Sequence, residues 1–104
     1  MANCKITVLK KSFNKDLVDE YCSLNLSEHC LGCHLLVVGQ EFIVEDHTRI
    51  PEGFCSWAWG DIQKDVTTIM FGGSFPWIKQ PGVAIACCSD GLMPVIFKIE
   101  NVNL

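Results

Sequence analysis

The sequence predicts a small α+β domain: a mainly antiparallel sheet, with the alternative that it curls toward a small barrel, and two helices. Three observations carry this. Alternating, β-branched segments stand near both ends of the chain, at Lys5-Ile-Thr-Val-Leu-Lys10 and at Pro94–Val102. A strong hairpin signal, Asp90-Gly91, separates Val83–Cys88 from Pro94–Val102. Between them, residues 56–70 place Trp59, Ile62, Val66 and Ile69 at helical spacing.

The elements follow in order. Lys5–Lys10 alternates and reads as the first strand. Asn14 is a suitable cap for a short helix running through Cys22, with Leu17, Val18 and Tyr21 on one face. Ser23–His34 is a polar, cysteine-bearing connection. Leu35–Val38 and Glu41–Glu45 look like two β segments around Gly39-Gln40, the first of them readable as loop as well. Asp46–Gly53 is a turn region with Pro51 and Gly53. Ser56 is the expected cap of the main helix, Asp61 lies near its positive end, and Gly72-Gly73 should end it at about Met70. Phe75-Pro-Trp77 and Gln80-Pro-Gly82 form the next loop before the terminal hairpin. Repeats, low-complexity segments and linkers are absent, so residues 1–104 are expected to be one domain.

Composition bounds the function. Apolar residues make up 49% of the chain and charged residues 19%, so either the core is generous or a protein partner covers apolar surface. A net charge of −4 and a pI near 5.2 argue against nucleic acid, which needs a basic face. The segment from Met1 enters an alternating stretch directly, with no apolar run for a signal peptide or a membrane span. The expected location is the cytoplasm.

In that reducing compartment, seven cysteines, an odd number, are poorly explained by disulfides. Metal ligation, redox chemistry or burial must account for them. Cys30-Leu-Gly-Cys33 has the spacing of a metal knuckle, and Cys22, Cys55, Cys87, Cys88, His29 and His34 could supply the two further ligands of a zinc or iron–sulfur site. The bland alternative is that several are core residues, Cys87 foremost. Cys30–His34 also spells C-x-x-C-H, read as coincidence because haem attachment usually requires export.

Cys55 immediately precedes the Ser56 cap, where helix backbone amides and the macrodipole favour a thiolate. It is a candidate ligand or reactive thiol, against a gap-filling role beside Phe54 and Trp57. Cys87 and Cys88 are adjacent in a strand and should face opposite sides. Phe75 and Trp77 are loop aromatics suited to a partner contact. Asp90 reads as the turn former and His47 as a solvated loop residue. No Ser-His-Asp arrangement, phosphate-cradling loop or dinucleotide fingerprint occurs, so enzymatic activity is left open.

Pro51-Glu-Gly-Phe-Cys-Ser-Trp-Ala-Trp-Gly-Asp61, Phe71-Gly-Gly-Ser-Phe-Pro-Trp77 and Cys87-Cys-Ser-Asp-Gly-Leu-Met-Pro-Val-Ile-Phe97 together resemble a family of small uncharacterised cysteine-rich prokaryotic proteins of about this length, frequent in anaerobes. Lys5–Lys11 and Gly39-Gln-Glu-Phe42 resemble it too, so nearly the whole chain is covered. The resemblance implies that Cys22, Cys33, Cys55, Cys87 and Cys88 are characteristic positions, whereas Cys4 and Cys30 are extras of this chain. It therefore points to a site built from Cys22, Cys33, Cys55 and one of the Cys87–Cys88 pair. Similar proteins carry arginine where this chain has Met93, a departure that argues against carrying over any anion-binding or ion-pair role for that position. The family brings no activity with it.

Three function classes follow. The first is an accessory or redox protein binding a metal ion or an iron–sulfur cluster through cysteines. The second is a thiol-based redox or catalytic protein using Cys55 or Cys33. The third is a non-catalytic interaction or ligand-binding module with buried cysteines.

Overall fold

A computed structural model of the chain describes residues 3–23 and 35–102. It contains β1 (Cys4–Lys11), α1 (Lys15–Tyr21), β2 (Glu41–Val44), α2 (Ser56–Met70), β3 (Val83–Cys87) and β4 (Val95–Asn101). The four strands form one sheet in the order β2-β1-β4-β3, every neighbouring pair antiparallel. The sheet is open, so the expectation of a barrel-like closure is not met. Four strands, of which the outer two span only four and five residues, are too few to bring the edges of the sheet together.

Alternation gives each strand one buried side. Cys4, Ile6 and Val8 of β1, Phe42 and Val44 of β2, Ala84 of β3, and Val95, Phe97 and Ile99 of β4 are all buried. Helix α2 covers this face with Ala58, Ile62, Val66, Ile69 and Met70. Phe97, fully buried at the centre, lies 5.4 Å from the ring of Phe54. Burying such a side chain contributes about 1.5–3 kcal/mol. The opposite side of the sheet bears a charge ladder in which Lys5 Nζ lies 3.2 Å from Glu41 and 3.4 Å from Glu100.

Several local expectations are corrected. The first residue of α2 is Ser56 itself, and Cys55 holds the cap position. The buried stripe of α2 starts at Ala58, one position before the expected Trp59. Trp59 is half-buried, packed edge-on against Phe54. A tryptophan there would overfill the gap that the Ala58 methyl leaves beside the sheet.

Asn14 makes no side-chain cap bond. Its Nδ2 instead donates to Gly91 O at 2.7 Å and its N–H to Leu92 O at 2.9 Å, tying the start of α1 to the β3–β4 loop. Of the expected α1 face only Val18 is buried, while Tyr21 is 75% exposed. Leu35–Val38 is loop and turn, not strand: Leu36 drops into the core and Gly39 N–H bonds back to Val8 O. In β1 the register slips between Val8 and Lys10, leaving Leu9 outside the pairing with β4.

Helix α2 ends as its two glycines require. Gly72, with φ +87°, donates to Ile69 O, and Gly73 donates to Thr68 O. These bonds help to satisfy the last carbonyls of the helix, Ile69 O accepting from Asn101 Nδ2 as well.

Candidate functional site

A cleft of about 370 Å³ opens where the start of α2 meets the β3–β4 hairpin. Its walls include Leu35, Leu36, Ala58 and Val95, with Cys55, Cys88 and Met93 among them and Trp57 and Asp90 at the sides. The sequence explains how these groups converge. Cys55 is held at the helix entrance, its carbonyl accepting the Trp59 N–H at 2.9 Å. Cys88 follows the last residue of β3, and its N–H donates to Val95 O at 3.1 Å. Val95 N–H donates in return to Cys88 Sγ at 3.3 Å. Pro94 has no N–H, so pairing with β4 begins only at Val95.

The next residue fastens the hairpin to the helix. Ser89 N–H donates to Asp61 Oδ2 at 2.7 Å, and Trp57 Nε1–H donates to Ser89 Oγ at 3.2 Å. Asp61 therefore serves as an acceptor for the hairpin; it lies beyond the first turn of α2, where no acidic residue stands. Asp90 forms the turn, as its position predicts, its Oδ1 accepting the Leu92 N–H at 3.0 Å.

Of the residues that the sequence nominated, the structure brings Cys55 and Cys88 onto this cleft. Cys87 points away, as strand alternation requires, and is exposed. Its thiol donates to Cys88 O at 3.1 Å and is pushed above its ordinary range, first by partial burial and then by the neighbouring Cys88 and Asp61. Of the pair, Cys88 is the one that lines the cleft. Cys22, at the C-terminal cap of α1, does not line the cleft. Cys4 is wholly buried in the sheet, and burial pushes its thiol up to about 12. Cys33, with Cys30, His29 and His34, lies outside the described residues.

Among the described residues no three His, Cys, Asp or Glu side chains gather as a metal-ligand set. His47 departs from the solvated role expected of it. Its Nδ1 lies 3.3 Å from Thr67 Oγ1, its carbonyl accepts from Gln63 at 2.8 Å, and its ring meets Phe71 edge-on. The rings of Phe75 and Trp77 meet at a tilt with centroids 5.2 Å apart, Phe75 against the core and Trp77 75% exposed. Sequence reasoning missed Met93 and Leu36 as cleft walls. Both reach it through loops whose paths depend on distant contacts.

No helix among the described residues is long and apolar enough to cross a membrane. Comparison with protein-family models, curated proteins and solved structures returns no match. What the fold and the site define is thus a class, an α+β domain with an open antiparallel sheet and a thiol-bearing cleft.

Proposed function

We propose that this chain is a small cytoplasmic accessory protein that binds a metal through cysteine thiolates, with Cys55 and Cys88 as ligands. The observation that carries the reading is that these two thiols, from segments far apart in the chain, line one cleft. A metal there would join the entrance of α2 to the terminal hairpin and add its binding free energy to folding. Zinc and an iron–sulfur cluster are the groups that the cysteine spacing suggests, and either would draw further ligands from beyond this pair. The resemblance to cysteine-rich prokaryotic proteins supports the same reading.

The test is metal and acid-labile sulfide analysis of protein purified without oxygen, alongside Cys55→Ser and Cys88→Ser. Stoichiometric metal in the parent and its loss in both variants is the expected result. Retention of metal by either variant removes that residue from the site, and a metal-free parent removes the reading.

A second reading, a non-catalytic binding module, is favoured by Trp77, which is 75% exposed while in ring contact with Phe75. It predicts an association that Trp77→Ala weakens and that no cysteine substitution affects.

A further inference from the structure

Among the described residues, three that carry sulfur line this one cleft: Cys55, Cys88 and Met93. We propose that its ligand is a soft monovalent cation, Cu(I), held by these three groups. The inference rests on the cysteine–metal reading above and narrows it to one class of ion.

Donor chemistry decides the choice. Thiolate and thioether sulfur select Cu(I), which is satisfied by two or three such ligands. Zinc in a structural site asks for four ligands from thiolate, imidazole or carboxylate. The described lining of the cleft offers two thiols toward such a site. The one carboxylate on the cleft, Asp90, has an oxygen committed to the Leu92 amide. A thioether is a poor ligand for zinc, magnesium or calcium, so Met93 adds affinity only for a soft ion.

The surroundings fit the same ion. Leu35, Leu36, Ala58 and Val95 keep the lining apolar, which limits water and oxygen donors at the metal. The Val95 N–H on Cys88 Sγ, at 3.3 Å, is the kind of outer hydrogen bond that fixes a sulfur ligand. Met93 sits in a loop tied down on both sides, by Asn14 N–H to Leu92 O at 2.9 Å and Ser12 N–H to Pro94 O at 2.8 Å. All three donors are thus borne by anchored backbone. Binding involves no electron transfer: each thiol releases its proton as its sulfur takes the metal, and the thioether has none to lose.

The experiment is an anaerobic titration of the reduced, metal-free chain with Cu(I) against bicinchoninate, repeated on Met93→Leu, Cys55→Ser and Cys88→Ser. X-ray absorption then counts the sulfur neighbours. We expect one Cu(I) per chain in an all-sulfur shell. Met93→Leu conserves volume, so the fold should survive while affinity falls on the order of tenfold or more. The cysteine variants should lose more. Unchanged Cu(I) affinity in Met93→Leu overturns the proposal. So does a parent that retains zinc or iron in the presence of Cu(I), although the cysteine–metal reading then stands. A parent that takes up none of these metals overturns both.

Discussion

The Asp61 carboxylate accepts the Ser89 backbone N–H at 2.7 Å, binding the second turn of α2 to the residue that follows Cys88. A charged acceptor on a rigid helix here determines where the hairpin leaves the sheet. Ser89 is gripped a second time through its hydroxyl, which accepts from Trp57 Nε1 at 3.2 Å. One helix thus supplies a wall of the cleft and two of the contacts that fasten the opposite wall.

Asp61→Ala should therefore loosen the cleft. Removal of a charged acceptor from a partly exposed amide costs about 1 kcal/mol, which for a domain of this size lowers Tm by roughly 4–8 °C. Thermal unfolding followed by circular dichroism measures it. An unchanged Tm would mean that water replaces the carboxylate at no cost and that the hairpin is held elsewhere.

Gly73→Ala tests the end of α2. A Cβ at this position would stand 2.7 Å from Thr68 Cγ2 and 2.9 Å from Thr68 O. The second contact is with backbone, which cannot rotate away, so the last turn or the loop must shift. The cost should be about 1–3 kcal/mol, as for other overpacked sites. Urea denaturation should show a lowered midpoint at unchanged slope. Gly60→Ala, in the interior of the same helix with open space beside it, should be neutral or stabilising and serves as the control.

The contrast between those two glycines shows what the sequence made legible. Gly72-Gly73 announced the helix end because left-handed backbone and tight closure are local requirements, readable from residue type alone. The terminal hairpin was equally plain, with Asp90-Gly91 between two β-rich runs. Strand alternation likewise separated Cys87 from Cys88. The cleft was less legible. Cys55 drew notice for its place before a helix, yet that Cys88 should stand opposite follows from the Asp61–Ser89 contact, which joins residues far apart in sequence. Met93 and Leu36 sit in loops without periodicity, so nothing local shows which way they face. Asn14 had the residue type of a cap, but tertiary contact with Gly91 took its side chain.

The cysteines should differ widely in reactivity. Cys87 is exposed, whereas Cys4 has no accessible surface. Brief alkylation of the reduced native protein, read by peptide mass spectrometry, should modify Cys87 and leave Cys4 intact. Labelling of Cys4 should await unfolding and run on the order of a thousandfold slower or more. The Cys87 thiol is itself raised, so its labelling should still be accelerating as pH passes 9.0. Comparable rates for the two in native buffer would mean that β1 leaves the sheet without global unfolding.

Cys4 also makes alkaline stability a direct probe of the core. Burial lifts its thiol from 9.0 to about 12, because a thiolate between β1 and α2 would lose its hydration. The folded chain keeps this proton at a pH where the unfolded chain has released it. Unfolded protein then binds fewer protons, and stability falls as pH rises. The contribution is complete below pH 9 and is lost between about 9 and about 12. Lys5 acts in the same direction from the other side of the sheet, since its bonds to Glu41 and Glu100 raise it above 10.5 and favour the protonated folded state. Its contribution is full below 10.5 and disappears as pH climbs through its raised value. Two variants separate them. In urea titrations from pH 8 to pH 11, Cys4→Ala should start less stable but lose less stability from pH 9 upward. Lys5→Met should keep the early loss and flatten only the later one. An unaltered slope in Cys4→Ala would leave the alkaline sensitivity to the charge ladder and the raised Cys87 thiol, with the buried thiol playing no part.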